Sequence, residues 1–165
     1  MEMYVQGLIK VLERLNLLEI KRLISLIEEC DMVWVIGNGG SCSSASHWAE
    51  DLMKLGDKKA MSIVDMSMMS MVANDYGYEN VFIYPLRRLV KKADLVIGLS
   101  IGGKSKNILN VMLDKKLECK KFLVTGLRGK GIKVDKLVIP CYDVQICEDV
   151  TLTIAHIICR FLKRR

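Results

Sequence analysis

Residues 33–54, VWVIGNGGSCSSASHWAEDLMK, constrain the fold more than any other stretch. The apolar run Val33-Trp34-Val35-Ile36 has the length and β-branched content of a parallel strand buried on both faces. It breaks at Gly37-Asn38-Gly39-Gly40, and Ser41 opens a segment with helical spacing. Glycines permit positive φ and close backbone approach. The unpaired N–H groups of the first helical turn then face whatever occupies the turn, which makes it an anion site. The same helix carries His47 and Asp51 four residues apart, on one face. An anion-binding turn and an acid–base helix face are therefore expected side by side.

The remaining composition narrows the class. A length of 165 residues predicts one domain, 1–165, with an N-terminal helical segment over 1–30. Hydrophobic residues make up 51%, which argues against disorder. No apolar run reaches the ~18–20 residues of a spanning helix, so no membrane partner is expected. The start, MEMYVQGLIK, lacks the basic region and long apolar core of a signal peptide. Six scattered cysteines without a CxxC pair read as reduced thiols of a cytoplasmic protein. The net charge of +6 fits anionic small-molecule substrates and does not require nucleic acid. Lys163-Arg164-Arg165 reads as a solvated tail.

Taken in order, residues 2–29 show helical spacing (Leu8, Val11, Leu12, Leu15, then Leu23, Ile24, Ile27), with a break expected near Asn16. After the strand–turn–helix, 56–59 reads as a turn, 60–64 as a strand and 67–72 as a Met-rich helix whose methionines fill core. Residues 74–79 read as a polar turn, 85–92 as a short helix and 94–98 as a strand running into a second glycine- and serine-rich loop. A helix over 106–116, strands at 121–125 and 136–140 around a glycine-rich turn, and a last helix over 145–162 complete the chain. Alternating strands and helices predict an α/β fold: a doubly wound, five-stranded parallel sheet with helices on both faces. Both glycine-rich loops fall at carboxyl ends of strands, where such sheets bind ligands.

The second loop, Gly98-Leu99-Ser100-Ile101-Gly102-Gly103-Lys104-Ser105, matches the nucleotide phosphate loop G-x-x-x-x-G-K-[ST]. A nucleotide hydrolase would also need a magnesium-binding aspartate, for which only Asp143 has the right setting. A phosphate loop for a sugar phosphate is the favoured reading of the same residues, and a purely structural turn is the third. The chain has two histidines, each on a helix with a carboxylate on its face: His47 with Asp51, and His156 with Glu148 two turns earlier. Four such groups can relay protons across a sugar. They can equally hold a divalent metal, since two imidazoles and two carboxylates suit zinc.

The residues Gly37-Asn38-Gly39-Gly40-Ser41, His47 and the acid at 51 resemble the sugar isomerase (SIS) domain family, in its sedoheptulose-7-phosphate (phosphoheptose) isomerase branch. Asp65, Ser67, Asn74-Asp75-Tyr76-Gly77, Ser100, Gly103, Ser105 and His156 extend the match over about residues 30–162. The resemblance implies an SIS-type sandwich, a phosphorylated-sugar substrate and aldose–ketose isomerisation through an enediol. Asp51 and His156 then shuttle protons. Asn38, Gly39, Gly40, Ser41, Asp75, Ser100, Gly102, Gly103, Ser105 and Glu148 bind substrate, with the phosphate on Ser100 and Ser105. Zinc on His47, Asp51, Glu148 and His156 is implied, with no organic cofactor. So is a homotetramer whose active sites lie between subunits. The chain departs from the family at several positions: Asp51 for glutamate, Ile101 and Gly102 for hydroxylic residues, Glu148 for glutamine, Thr151 for histidine and Leu55 for arginine. These substitutions keep open a non-catalytic SIS module that binds a sugar phosphate or a protein partner, and a nucleotide binder stays the remaining alternative.

Overall fold

A computed structural model describes residues 2–163. Helices α1 (Glu2–Glu13) and α2 (Leu17–Glu29) lead into β1 (Val33–Gly37) and α3 (Gly40–Lys54). Next come β2 (Ala60–Ser62), α4 (Met66–Tyr76), α5 (Ile83–Leu89), β3 (Leu95–Leu99) and α6 (Lys106–Met112). The chain finishes with β4 (Lys120–Gly126), β5 (Lys136–Ile139) and α7 (Val144–Lys163). The five strands form one parallel sheet in the order β2-β1-β3-β4-β5. β1 and β3 are buried along their whole length. Chain order reverses between them, so the turns that follow β1 and β3 lie at the switch point of the sheet.

Alternate strand residues feed two cores. Val33, Val35, Leu95, Ile97, Phe122 and Val124 pack against α1, α2, α3 and α7. Trp34, Ile36, Val96 and Leu123 pack against α4, α5 and α6 on the other face. The doubly wound architecture expected from the pattern is the one observed.

Local details correct some boundaries. The break near Asn16 is a helix cap: the Asn16 side chain accepts from Leu18 N–H at 3.0 Å and opens α2. The expected polar turn at 74–79 is half helix, because Asn74, Asp75 and Tyr76 form the last turn of α4 and the stop comes at Gly77, with φ +89°. Asp65 caps that helix, accepting from Met68 N–H at 2.6 Å. α6 stops at Met112, four residues short of expectation. The Asp114 side chain takes Lys116 N–H at 2.9 Å, and Lys121 Nζ binds the carbonyls of Asp114 and Leu117. The methionine reading needs the larger correction: Met68 and Met69 pack against the second core, but Met66 and Met71 are exposed.

Candidate active site

The first glycine turn is built by close backbone packing. A Cβ at Gly37 would come within 2.4 Å of the Ser41 carbonyl, so only glycine lets the strand end meet the first turn of α3. Gly39 takes φ +54° with open space around it. Gly40 lies under the carboxylate of Glu148, whose Oε1 would be 2.6 Å from a Cβ there. Ser41 is buried. The Asn38 amide pairs reciprocally with Asn107, at 2.9 and 2.8 Å, and accepts from the Tyr78 hydroxyl at 3.1 Å.

The second turn runs from Ser100 to Ser105. Ser100 O accepts from Thr125 Oγ1 at 2.7 Å and from Gly103 N–H at 3.0 Å. Ser100 Oγ is buried, and it has no partner among the described residues. An unpaired buried hydroxyl is costly, and a ligand oxygen would satisfy it. Gly103, at φ +63°, lies against the backbone of Gly129; Gly102 is open, and Ser105 stands at the N-cap position of α6 with no capping bond from its side chain. Ile101 belongs to the core instead of the turn's surface. Asp143 is occupied at the start of α7, accepting from Gln145 and Ile146 N–H at 2.9 and 3.1 Å. The aspartate that the nucleotide reading needed for magnesium thus serves as a helix cap through Oδ1.

α3 and α7 pack side by side, with Trp48 Nε1 donating to Thr151 O at 3.1 Å. Their seam brings His47, Asp51 and His156 together. His47 Nε2 lies 3.2 Å from His156 Nε2, and Asp51 Oδ2 lies 3.3 and 3.4 Å from the two. Asp51 Oδ2 is enclosed and receives no directed hydrogen bond from either ring, although both nitrogens are within ion-pair distance. Three donor atoms on a triangle of this size fit one small cation. Tetrahedral zinc with bonds of about 2.0–2.1 Å sets its ligands roughly 3.3–3.4 Å apart. The His/Asp/His group can therefore hold a metal. Burial, with the Asp51 charge added, pushes the neighbouring Cys159 thiol up to about 12. A groove of about 480 Å³ runs past Asp51 and His156, lined also by Leu55, Thr153, Ile157 and Arg160.

Two expectations change here. Glu148 does not join the metal group, because it stands about 12 Å before His156 along α7 and faces Gly40. Nor do the turn and the acid–base face lie immediately side by side: His47 and Asp51 sit about 10 and 16 Å along α3 from Gly40. Asp75 is exposed at the end of α4, where it accepts from Asn74 Nδ2 at 2.8 Å. Thr151 is buried packing between α3 and α7. The sequence reading missed Asn107 and Tyr78; an asparagine two residues past a loop serine was the only signal for the former.

No family model matches the chain. The phosphoheptose isomerase of Helicobacter pylori is 35% identical over 153 residues, covering 86% of this chain and 79% of that protein. The phosphoheptose isomerase of Geotalea daltonii is 33% identical over 141 residues, covering 79% and 73%. The solved phosphoheptose isomerase GmhA of Neisseria gonorrhoeae superposes with TM-score 0.89 at 22% identity, covering 98% of this chain and 96% of that one. The Francisella tularensis phosphoheptose isomerase gives 0.88 at 24% identity, covering 99% and 94%.

Proposed function

The chain belongs to the phosphoheptose isomerase family, and we propose that it interconverts the aldose and ketose forms of a phosphorylated sugar, resembling sedoheptulose 7-phosphate, through an enediol. The observation that carries this reading is the convergence of His47, Asp51 and His156 within 3.2–3.4 Å of one another. Isomerisation moves one proton between neighbouring carbons and another between their oxygens. The Asp51 carboxylate is the base at the carbon beside the carbonyl, and His156 moves the proton between the oxygens. His47 supports the negative charge that develops on the enediolate.

The same three residues would hold zinc. The metal would supply Lewis-acid polarisation of a substrate oxygen. The phosphate belongs on the 100–105 turn, where the free Ser100 hydroxyl and Ser105 stand.

The separation along α3 supports a homo-oligomer, a tetramer by family resemblance, in which the acid–base group of one subunit meets the turns of another. Mixing subunits that carry Asp51→Asn with subunits that carry Ser100→Ala tests it. Recovered activity supports shared sites, and persistent inactivity of verified mixed oligomers rejects them.

The isomerase assignment itself is tested by Asp51→Asn and His156→Ala, assayed separately on heptulose, hexulose and pentulose phosphates. Each should lose about 10²–10⁴-fold in kcat with an unchanged far-ultraviolet spectrum. Full activity in either variant rejects the assignment. A wild-type protein that binds these sugars without turning them over would be the non-catalytic module instead.

A further inference from the structure

We propose that Asn107 fixes the polarity of the Asn38 amide, so that Asn38 meets the sugar only as a hydrogen-bond donor; the identity of that ligand rests on the isomerase reading above. Asn38 follows β1 and Asn107 lies in the first turn of α6, so their pairing ties together the two turns at the sheet's switch point. A reciprocal pair of amides is ambiguous by itself. Turning both over leaves two equally good bonds.

The backbone removes the ambiguity. Ile108 N–H, shared between Ser105 O at 3.1 Å and Asn107 Oδ1 at 3.0 Å, can only donate. Asn107 is 2% exposed, so turning its amide over would set a buried NH₂ against that N–H. The Asn107 oxygen is therefore fixed toward Ile108, and its Nδ2 toward Asn38. That in turn fixes the Asn38 oxygen, which accepts from Asn107 Nδ2 and, on its second lone pair, from the Tyr78 hydroxyl. One Asn38 N–H goes to Asn107 Oδ1. The other N–H is the single capacity left on this amide, on a half-buried residue beside the open Gly39.

The ligand group at this position is consequently an acceptor, such as a carbonyl, hydroxyl or enediolate oxygen. A donor aimed before the ligand arrives needs no reorganisation at the moment of reaction. Asn107 and Tyr78 do not touch the ligand in this scheme. They are positioning residues.

The test is Asn107→Asp, with Tyr78→Phe as a milder second variant. Aspartate offers no N–H to the Asn38 oxygen and sets a carboxylate oxygen against it. The kcat/KM for sugar phosphate should fall at least tenfold in Asn107→Asp, mainly through KM, and two- to fivefold in Tyr78→Phe. Binding of inorganic phosphate, held by the other turn, should stay within twofold. Unchanged kcat/KM in both variants overturns the proposal, and so does an equal loss of phosphate binding, which would mean a collapsed turn.

Side-chain amide NMR of the wild-type protein decides the matter even where Asn107→Asp fails to fold. Free protein should show one hydrogen-bonded and one free Asn38 Nδ2 proton, and the free one should shift on adding sugar phosphate. Two hydrogen-bonded Asn38 Nδ2 protons in the free protein, the second on the Tyr78 hydroxyl, overturn the fixed polarity. Failure of the isomerase reading looks different: the wild-type protein then neither binds nor turns over sugar phosphate, while the free-protein spectrum still reports the polarity.

Discussion

The Nε2 atoms of His47 and His156 face each other at 3.2 Å, although 109 positions separate the two residues in the chain. Two neutral rings can share one proton at that distance. Asp51 Oδ2 lies 3.3 and 3.4 Å from the same two nitrogens. A divalent cation satisfies all three donors at once.

Zinc should therefore bind at one ion per chain and stabilise the fold. At a free concentration a hundred times its Kd, mass action predicts about 2.7 kcal/mol of added stability. Thermal melts with and without zinc, with metal analysis after dialysis, measure this. His47→Ala should remove the stabilisation. A melt that ignores zinc, with no metal retained, would reject the assignment.

Gly40→Ala separates ligand binding from folding. The added Cβ would meet Glu148 Oε1 at 2.6 Å and Oε2 at 2.9 Å, the far end of a flexible side chain that can swing away. Alanine also favours helix over glycine by up to about 1 kcal/mol. Stability in urea should change by less than about 1 kcal/mol, while KM for sugar phosphate rises severalfold as the carboxylate leaves the turn. An unchanged KM would show that Glu148 has no part in binding.

Gly103→Ala should behave in the opposite way. Its φ of +63° costs an L-residue about 1–2 kcal/mol. The Cβ would also lie 2.5 Å from Gly129 Cα, which is backbone and cannot rotate aside. A loss of about 2–4 kcal/mol is expected, read from the urea midpoint at constant slope, together with loss of phosphate binding.

The strands were legible because buried parallel strands carry continuous apolar runs: Val33–Ile36 and Leu95–Ile97 are buried throughout. The histidine seam was legible in its members, since His47, Asp51 and His156 converge. Its fourth proposed member was not, because two turns of one helix cannot bring Glu148 to His156. Asn74–Tyr76 misled through composition: asparagine and aspartate favour turns, yet helix continues until Gly77 supplies positive φ. Asn107 and Tyr78 were invisible because their partner, Asn38, lies 69 and 40 positions away in the chain. No local pattern encodes such a pairing.

The cysteines predict how the fold responds to alkali. Burial pushes the thiol of Cys119 up to about 11, and those of Cys147 and Cys159 up to about 12, with the neighbouring Cys141 and Asp51 adding to the last two. In the unfolded chain these thiols lose their protons near 9. Between about 9 and the folded values the native state holds more protons than the unfolded state, so stability must fall as pH rises. Their contribution is complete below pH 9 and lost as pH climbs through 11 to 12. Urea midpoints measured from pH 8 to pH 11 should decline steadily above 9. Cys159→Ala should flatten part of that decline, even though it lowers the midpoint at pH 8 by leaving a small cavity beside Asp51. A variant that follows the wild-type slope would show that this thiol titrates alike in both states.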